Sequence, residues 1–225
     1  MRIWAEYGTF FREFRRHFRD TGSVLPSGQF LARALTSELR KPRAPARILE
    51  VGPGTGSVTQ KILRHLLPGD RLDAVELNGH FVALLQRRFD LDWEFRCRRP
   101  QVRLIHSAVE DLQGEAQYDF IISGLPFNNF PVSLVREVFQ VFDRLLRPGG
   151  TLSYYEYALV RQLKTPFVDR SERRRLFRVG RVVNRYIRAY QIRRERVLVN
   201  VPPAIVRHLK LKPAAVAECA TLLRS

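Results

Sequence analysis

Three glycines at alternate positions, in Glu50-Val51-Gly52-Pro53-Gly54-Thr55-Gly56-Ser57, are the residues of this chain whose spacing most clearly implies chemistry. Such a loop lets the main chain turn sharply and approach a ligand where a side chain would intrude, and a helix that follows it offers free amide donors. The loop therefore reads as the floor of a cofactor site. Two other stretches carry groups suited to chemistry: Ser123-Gly124-Leu125-Pro126-Phe127-Asn128, and the run Tyr154, Tyr155, Glu156 and Tyr157. Tyrosines and a carboxylate near the end of a strand are groups able to orient a bound molecule and accept a proton.

The elements around these stretches predict an open α/β sheet. An apolar run from Ala46 to Val51 reads as a buried strand, and Val58 to Leu67 has helical spacing. Further strands are expected at Arg71 to Val75, ending on Glu76, at Val102 to Ile105, at Tyr118 to Ile122 and at Thr151 to Tyr157. Helices are expected from Gly79 to Phe89 and from Val132 to Leu146, with an arginine-rich loop around Cys97 between the first of these and the third strand. Ser27 is suited to cap a helix with Phe30, Leu31, Ala34, Leu35 and Leu39 on its apolar face. Arg196 to Val201 and Ala204 to Leu211 suggest a closing pair of strands joined through Pro202 and Pro203, and Pro213 to Ser225 a short final helix.

The spacing G-x-G-x-G differs from the dinucleotide fingerprint, whose third glycine comes one residue later. Preceded by Glu50 and followed by the acidic strand end Glu76, the loop resembles the first motif of class I S-adenosylmethionine-dependent methyltransferases. That resemblance implies a Rossmann-like seven-stranded sheet with helices on both faces. It also implies a cofactor site built from Ser27, Glu50, Val51, Gly52, Gly54 and Gly56, with Glu76 and Leu77 at the ribose. Ala108, Val109 and Glu110 would surround the adenine, and Ser123 and Leu125 would border the methyl group. The family often has Asp where this chain has Ala108, which leaves the adenine to main-chain groups, Glu110 or Asp111.

At 225 residues there is room for one such domain, and the formal charge of +17 points to a polyanionic partner, nucleic acid or anionic lipid. Cys97 and Cys219 have no metal-like spacing, no secretory leader is evident, and a reducing cytosol is the expected compartment. No apolar run is long enough to cross a membrane, so membrane contact is expected to be peripheral, at the inner face. Residues 1–20 are expected to supply it, separately from a catalytic domain over residues 21–225. Ile3, Trp4, Tyr7, Phe10, Phe11, Phe14 and Phe18 form one helical stripe opposed by arginines, as in a helix lying in a lipid interface. The arginine-dense stretch from Arg170 to Arg196 reads either as a solvated basic helix or as a second contact with phosphates. Nothing in the sequence sets the oligomeric state.

Longer blocks extend the resemblance. Thr-Gly-Ser-Val-Leu-Pro-Ser at Thr21 to Ser27, Phe30-Leu31-Ala32-Arg33-Ala34, the Ser123 to Pro131 segment, and Asn-Val-Pro-Pro-Ala at Asn200 to Ala204 are similar to bacterial phospholipid N-methyltransferases. These convert phosphatidylethanolamine stepwise to phosphatidylcholine, which implies a lipid amine as acceptor and Tyr154, Tyr155, Glu156 and Tyr157 as candidates around it. Ser27-Gly28-Gln29-Phe30-Leu31 and Leu125-Pro126-Phe127-Asn128 also resemble ribosomal RNA adenine dimethyltransferases. Those enzymes hold the adenine amine with an Asn or Asp where this chain has Gly124, so lipid is favoured over nucleic acid. A noncatalytic, membrane-bound scaffold of the same fold is the third reading, against which the intact glycine loop and Glu76 weigh.

Overall fold

Parallel strands must be joined by crossovers that lay helices on the sheet, and five such strands set the frame of the computed structural model. The structure describes residues 26–127, 130–157, 170–200 and 203–211. In chain order they form α1 (Pro26–Leu35), β1 (Arg47–Val51), α2 (Ser57–His65), β2 (Arg71–Glu76), α3 (Gly79–Leu91), α4 (Trp93–Arg98) and β3 (Val102–His106). There follow β4 (Tyr118–Ser123), α5 (Val132–Leu145), β5 (Leu146–Tyr157), α6 (Arg170–Tyr190), β6 (Gln191–Val197) and β7 (Ala204–Lys210). The seven-stranded sheet has the order β3-β2-β1-β4-β5-β7-β6, with only β7 antiparallel to its neighbours. The chain thus winds outward from β1 to β3, then returns to place β4 on the other side of β1. That reversal opens a crevice at the carboxyl ends of β1 and β4, where open parallel sheets bind ligands.

Each face of the sheet buries its own core. On one face, Phe127, Phe139, Phe142 and Tyr154 pack with ring centroids 5.1 to 6.4 Å apart, beneath α5 and the inner side of α6. On the other face, Leu35, Ile48, Ile62, Leu85, Phe89 and Phe95 join the apolar sides of α1 to α4. Two polar contacts fix the frame's margins. Asp70, fully buried, accepts from the Arg43 guanidinium (2.6 and 2.8 Å) and from the amides of Ala46 and Leu67 (2.7 Å each). Burial alone would raise its pKa, but these donors hold it below the usual carboxylate range. His208, also fully buried, faces the Ser153 hydroxyl at 2.8 Å and Glu195 at 3.2 Å, and Ser37 donates to the same Glu195 oxygen. The segment after α1 is thereby held to the antiparallel end of the sheet.

Several boundaries differ from those expected. The arginine-rich stretch around Cys97 is the helix α4 instead of a loop: the Asp92 side chain caps it at the Glu94 amide, and Phe95 is buried against Phe89. Ser27 lies inside α1 instead of preceding it. The basic stretch is two elements, α6 and β6, and the strand begins at Gln191 instead of Arg196. As an edge strand, β6 leaves all but its last residues largely exposed, so it lacks the apolar alternation that marks a buried strand. The aromatic stripe at residues 3–19, the Thr21 to Leu25 turn, Asn128 and Asn129, and the expected final helix lie outside the described residues.

Candidate active site

The glycine loop crosses the crevice as a series of left-handed turns, with φ of +71° at Gly52, +56° at Gly54 and +86° at Gly56. Two positions show why side chains are excluded. A Cβ on Gly124 would stand 2.6 Å from the Gly52 carbonyl oxygen, because the Gly124 amide donates to Val51 O at 2.8 Å and draws the β4 exit onto the loop. A Cβ on Gly54 would meet no protein atom within 4 Å, so it would fill the open side of the loop where a ligand can approach.

Beside the loop is a shallow cleft lined by Val51, Gly52, Val75, Glu76, Leu77, Ser107, Ala108, Val109, Glu110 and Leu125. Most of the residues implied for the cofactor thus meet in one place. Glu76, 1 % exposed, ends β2 and accepts from the amides of Asn78 (2.8 Å) and Gly54 (3.0 Å). Burial raises its pKa, opposed by those amides and that of Leu77 and by His106. The Gly54 amide is therefore engaged by Glu76, and its oxygens keep lone pairs for further donors. Ala108 precedes a short turn of 3-10 helix, Val109–Asp111, which brings Glu110 but not Asp111 to the cleft.

Not every implied residue reaches it. Ser123 is buried and its hydroxyl accepts from the Leu125 amide at 3.3 Å, shaping the turn. Glu50 lies on the other face of the sheet, fully buried, and burial pushes its pKa up to about 8, with Glu76 adding to the rise. Thr59, in the first turn of α2, offsets part of this. Neither Glu50 oxygen nor the Thr59 hydroxyl has a well-formed hydrogen bond among the described residues. Burial thus leaves the Glu50 carboxyl uncharged at neutral pH, a support of the loop from the face opposite the cleft.

The four strand-end residues are not one constellation. Tyr154 and Glu156 point to the α5 face, where the Tyr154 hydroxyl donates to Glu156 at 3.3 Å and Arg207 pairs with Glu156 at 3.4 Å. Tyr155 and Tyr157 pack on the opposite face with centroids 5.2 Å apart. Burial raises the Tyr155 hydroxyl well above its ordinary pKa, and Tyr157 adds to the rise. The cleft's apolar residues Val51, Val109 and Leu125 belong to the Tyr154 face, which leaves Glu156 as the strand-end carboxylate on the cleft's side. Ser107, missed in the sequence, lines the cleft through its place after β3, where its amide donates to Glu76 O at 3.2 Å. A wider groove beside Arg47, Arg103, Gln113 and Tyr118 lies toward the amino ends of the strands. There Arg103 is tied to Asp73 at 2.8 and 2.9 Å, and Tyr118 donates to the same Asp73 at 2.7 Å.

Residues 48–150 match the methyltransferase domain family. An ornithine lipid N-methyltransferase of Singulisphaera acidiphila is 32% identical over 149 residues, covering 66% of this chain and 76% of that protein. The chain belongs to the class I S-adenosylmethionine-dependent methyltransferases. Its cofactor is S-adenosylmethionine. The methyltransferase is also similar to ribosomal RNA small subunit methyltransferase A of Synechococcus sp. (strain JA-3-3Ab), at 33% identity over 38% of this chain and 27% of that protein. Among solved structures, 1,6-didemethyltoxoflavin-N1-methyltransferase of Burkholderia thailandensis superposes with a TM-score of 0.60. It is 20% identical and covers 92% of this chain and 90% of its own, a likeness of fold. The residues present fit the cofactor: an acidic strand end for a ribose diol, apolar walls for a base and an open glycine that lets the ligand approach the loop.

Two consequences are measurable in this methyltransferase. Gly54→Asn, a residue that tolerates the left-handed φ of +56°, fills the open side of the loop, so cofactor affinity by calorimetry falls at least about a hundredfold while the circular dichroism spectrum is unchanged; unchanged affinity contradicts the site. Glu50 keeps its proton in the fold at pH values where the unfolded chain has lost it, so its contribution to stability declines as pH rises from its ordinary 4.5 to about 8. Glu50→Gln removes that decline: the variant gains stability on the wild type across this window, by up to roughly 4–5 kcal/mol in denaturant titrations without cofactor. Parallel pH profiles contradict the buried proton.

Proposed function

We propose that this methyltransferase transfers the methyl group to the amine of a phospholipid headgroup, phosphatidylethanolamine in the first instance, at an anionic membrane surface. The observation that carries the reading is the contact between Gly124 and the Gly52 carbonyl. An Asn or Asp at this point, as used to grip a planar base amine, would need its Cβ within 2.6 Å of that oxygen. The acceptor side is left with the apolar Leu125, suited to a flexible alkylamine on a lipid. The relative named for ornithine lipid supports the class of acceptor, a lipid amine.

S-adenosylmethionine supplies an electrophilic methyl group on a sulfonium. What the chain must supply is a neutral amine, held in line at a distance of about 3 to 3.5 Å. A headgroup amine resembles lysine, with a pKa around 10, and arrives as an ammonium. Glu156, on the cleft's face and linked to the Tyr154 hydroxyl and Arg207, is the group that attracts the ammonium and takes its proton at a carboxylate oxygen. Ser27, in the first turns of α1, and the Thr21 to Leu25 stretch before it are expected to cover the cofactor.

RNA remains the competing acceptor because the charge of +17 suits phosphates of either kind, and a ribosomal RNA methyltransferase is among the relatives. The test offers the purified chain radiolabelled cofactor with phosphatidylethanolamine dispersed in detergent, or with ribosomal RNA. Label in the lipid extract, lost in Glu156→Gln by about a hundredfold or more in kcat, is the expected result. Label in RNA overturns the reading, and label in neither favours the noncatalytic scaffold.

A further inference from the structure

Turns between strands favour Gly, Asn, Asp and Ser, yet the turn from β6 toward β7 carries Leu198 and Val199, which are 71% and 59% exposed. Their neighbours are anchored: Val197 and Asn200 are 6% and 5% exposed, and the Asn200 amide closes the turn on Val197 O at 3.4 Å. Two aliphatic side chains are thus held in water by a fixed base.

The register says where they project. Val197 pairs with Ala204, and Ala204 with Tyr157, the last residue of β5. Since β5 runs parallel to β4 and β1, the turn stands at the carboxyl edge of the sheet, the edge that holds the glycine loop and Leu125. The first half of α6 ends at the same edge, because the Arg175 guanidinium donates to Phe130 O at 2.8 Å. From that half of α6, Phe177 is 66% exposed, with Arg174 and Arg178 exposed beside it. Arg194, midway along β6, and Arg196, beside its last residue, are exposed. Of the carboxylates described there, Glu195 turns inward toward His208 and Ser37, and Glu156 toward Arg207. An apolar tip ringed by arginines is complementary to a bilayer whose phosphates lie above its acyl chains.

We infer that the Leu198–Val199 turn is an apolar finger that enters the headgroup–acyl boundary of an anionic bilayer, with Arg174, Arg178, Arg194 and Arg196 on lipid phosphates. The bilayer then lies across the carboxyl edge of the sheet, and a headgroup need only lift a short way to enter the cleft. This inference rests on the lipid reading for its substrate, but it names a docking element of its own, independent of residues 3–19.

The test places an environment-sensitive NBD label on Val199→Cys in a Cys97→Ser, Cys219→Ser background, with vesicles of phosphatidylcholine containing 30 mol% phosphatidylglycerol. The label at 199 is expected to brighten about twofold or more, shift to the blue and resist iodide quenching, whereas a label on Glu115→Cys, at the opposite edge, does not respond. Leu198→Asp with Val199→Asp is expected to weaken vesicle binding about tenfold at an unchanged melting temperature and cofactor affinity. Flotation with an unchanged label at 199 overturns the finger alone. Failure of the wild-type chain to float overturns the docking altogether, while transfer to detergent-dispersed lipid reads the substrate assignment separately.

Discussion

At the carboxyl ends of β1 and β4 two stretches of backbone are pressed together, the Gly52 carbonyl against the Gly124 α-carbon, and most of what this methyltransferase can do follows from that contact. The pair β1–β4 is where the winding of the sheet reverses, so any ligand in the crevice must pass over it. Glycine on both sides lets the strands converge without a gap. One consequence is a shallow cofactor floor on the β1 side. The other is an acceptor border with no polar side chain at position 124, which narrows the acceptors the site can grip.

Around this contact the protein stores acid inside and base outside. The net charge is +17, yet Glu50 and Glu76 are buried under the glycine loop and at the end of β2. Their carboxyls are destabilised as anions by burial, Glu50 up to a pKa of about 8. The exposed side of α6, with Arg174, Arg178, Arg181, Arg185 and Arg188, presents the opposite charge to the surroundings. Its inner side, with Val179 and Val183 buried, fastens the same helix to the core. Buried acid and exposed base thus lie on different parts of the fold.

The glycine loop, the acidic end of β2 and the positions of the first five strands were legible because each depends on local periodicity or on a conformation that only glycine tolerates. The antiparallel closure was legible too, through Pro202-Pro203 between two apolar runs, although its first strand was set too late. What escaped depends on contacts distant in sequence. Helix α4 is concealed by its arginines, and its reason to fold is Phe95 meeting Phe89 and a cap at Asp92. Ser107 has no pattern of its own and enters the cleft only because β3 lies beside β2. The division of Tyr154 and Glu156 from Tyr155 and Tyr157 could have been read from strand alternation, since neighbours in a strand face opposite ways. The exposed Leu198 and Val199 looked like ordinary strand residues, and only the register shows that they stand beyond the last pair.

The central claim is that the space between Gly54, Glu76 and Val109 is where the cofactor lies, and a crystal structure with S-adenosylhomocysteine tests it most directly. The account predicts both ribose hydroxyls within hydrogen-bonding distance of the Glu76 carboxylate and the glycine loop passing under the ligand unmoved. A ligand bound elsewhere, or a Glu76 carboxylate that keeps only the amides of Gly54 and Asn78, would contradict it.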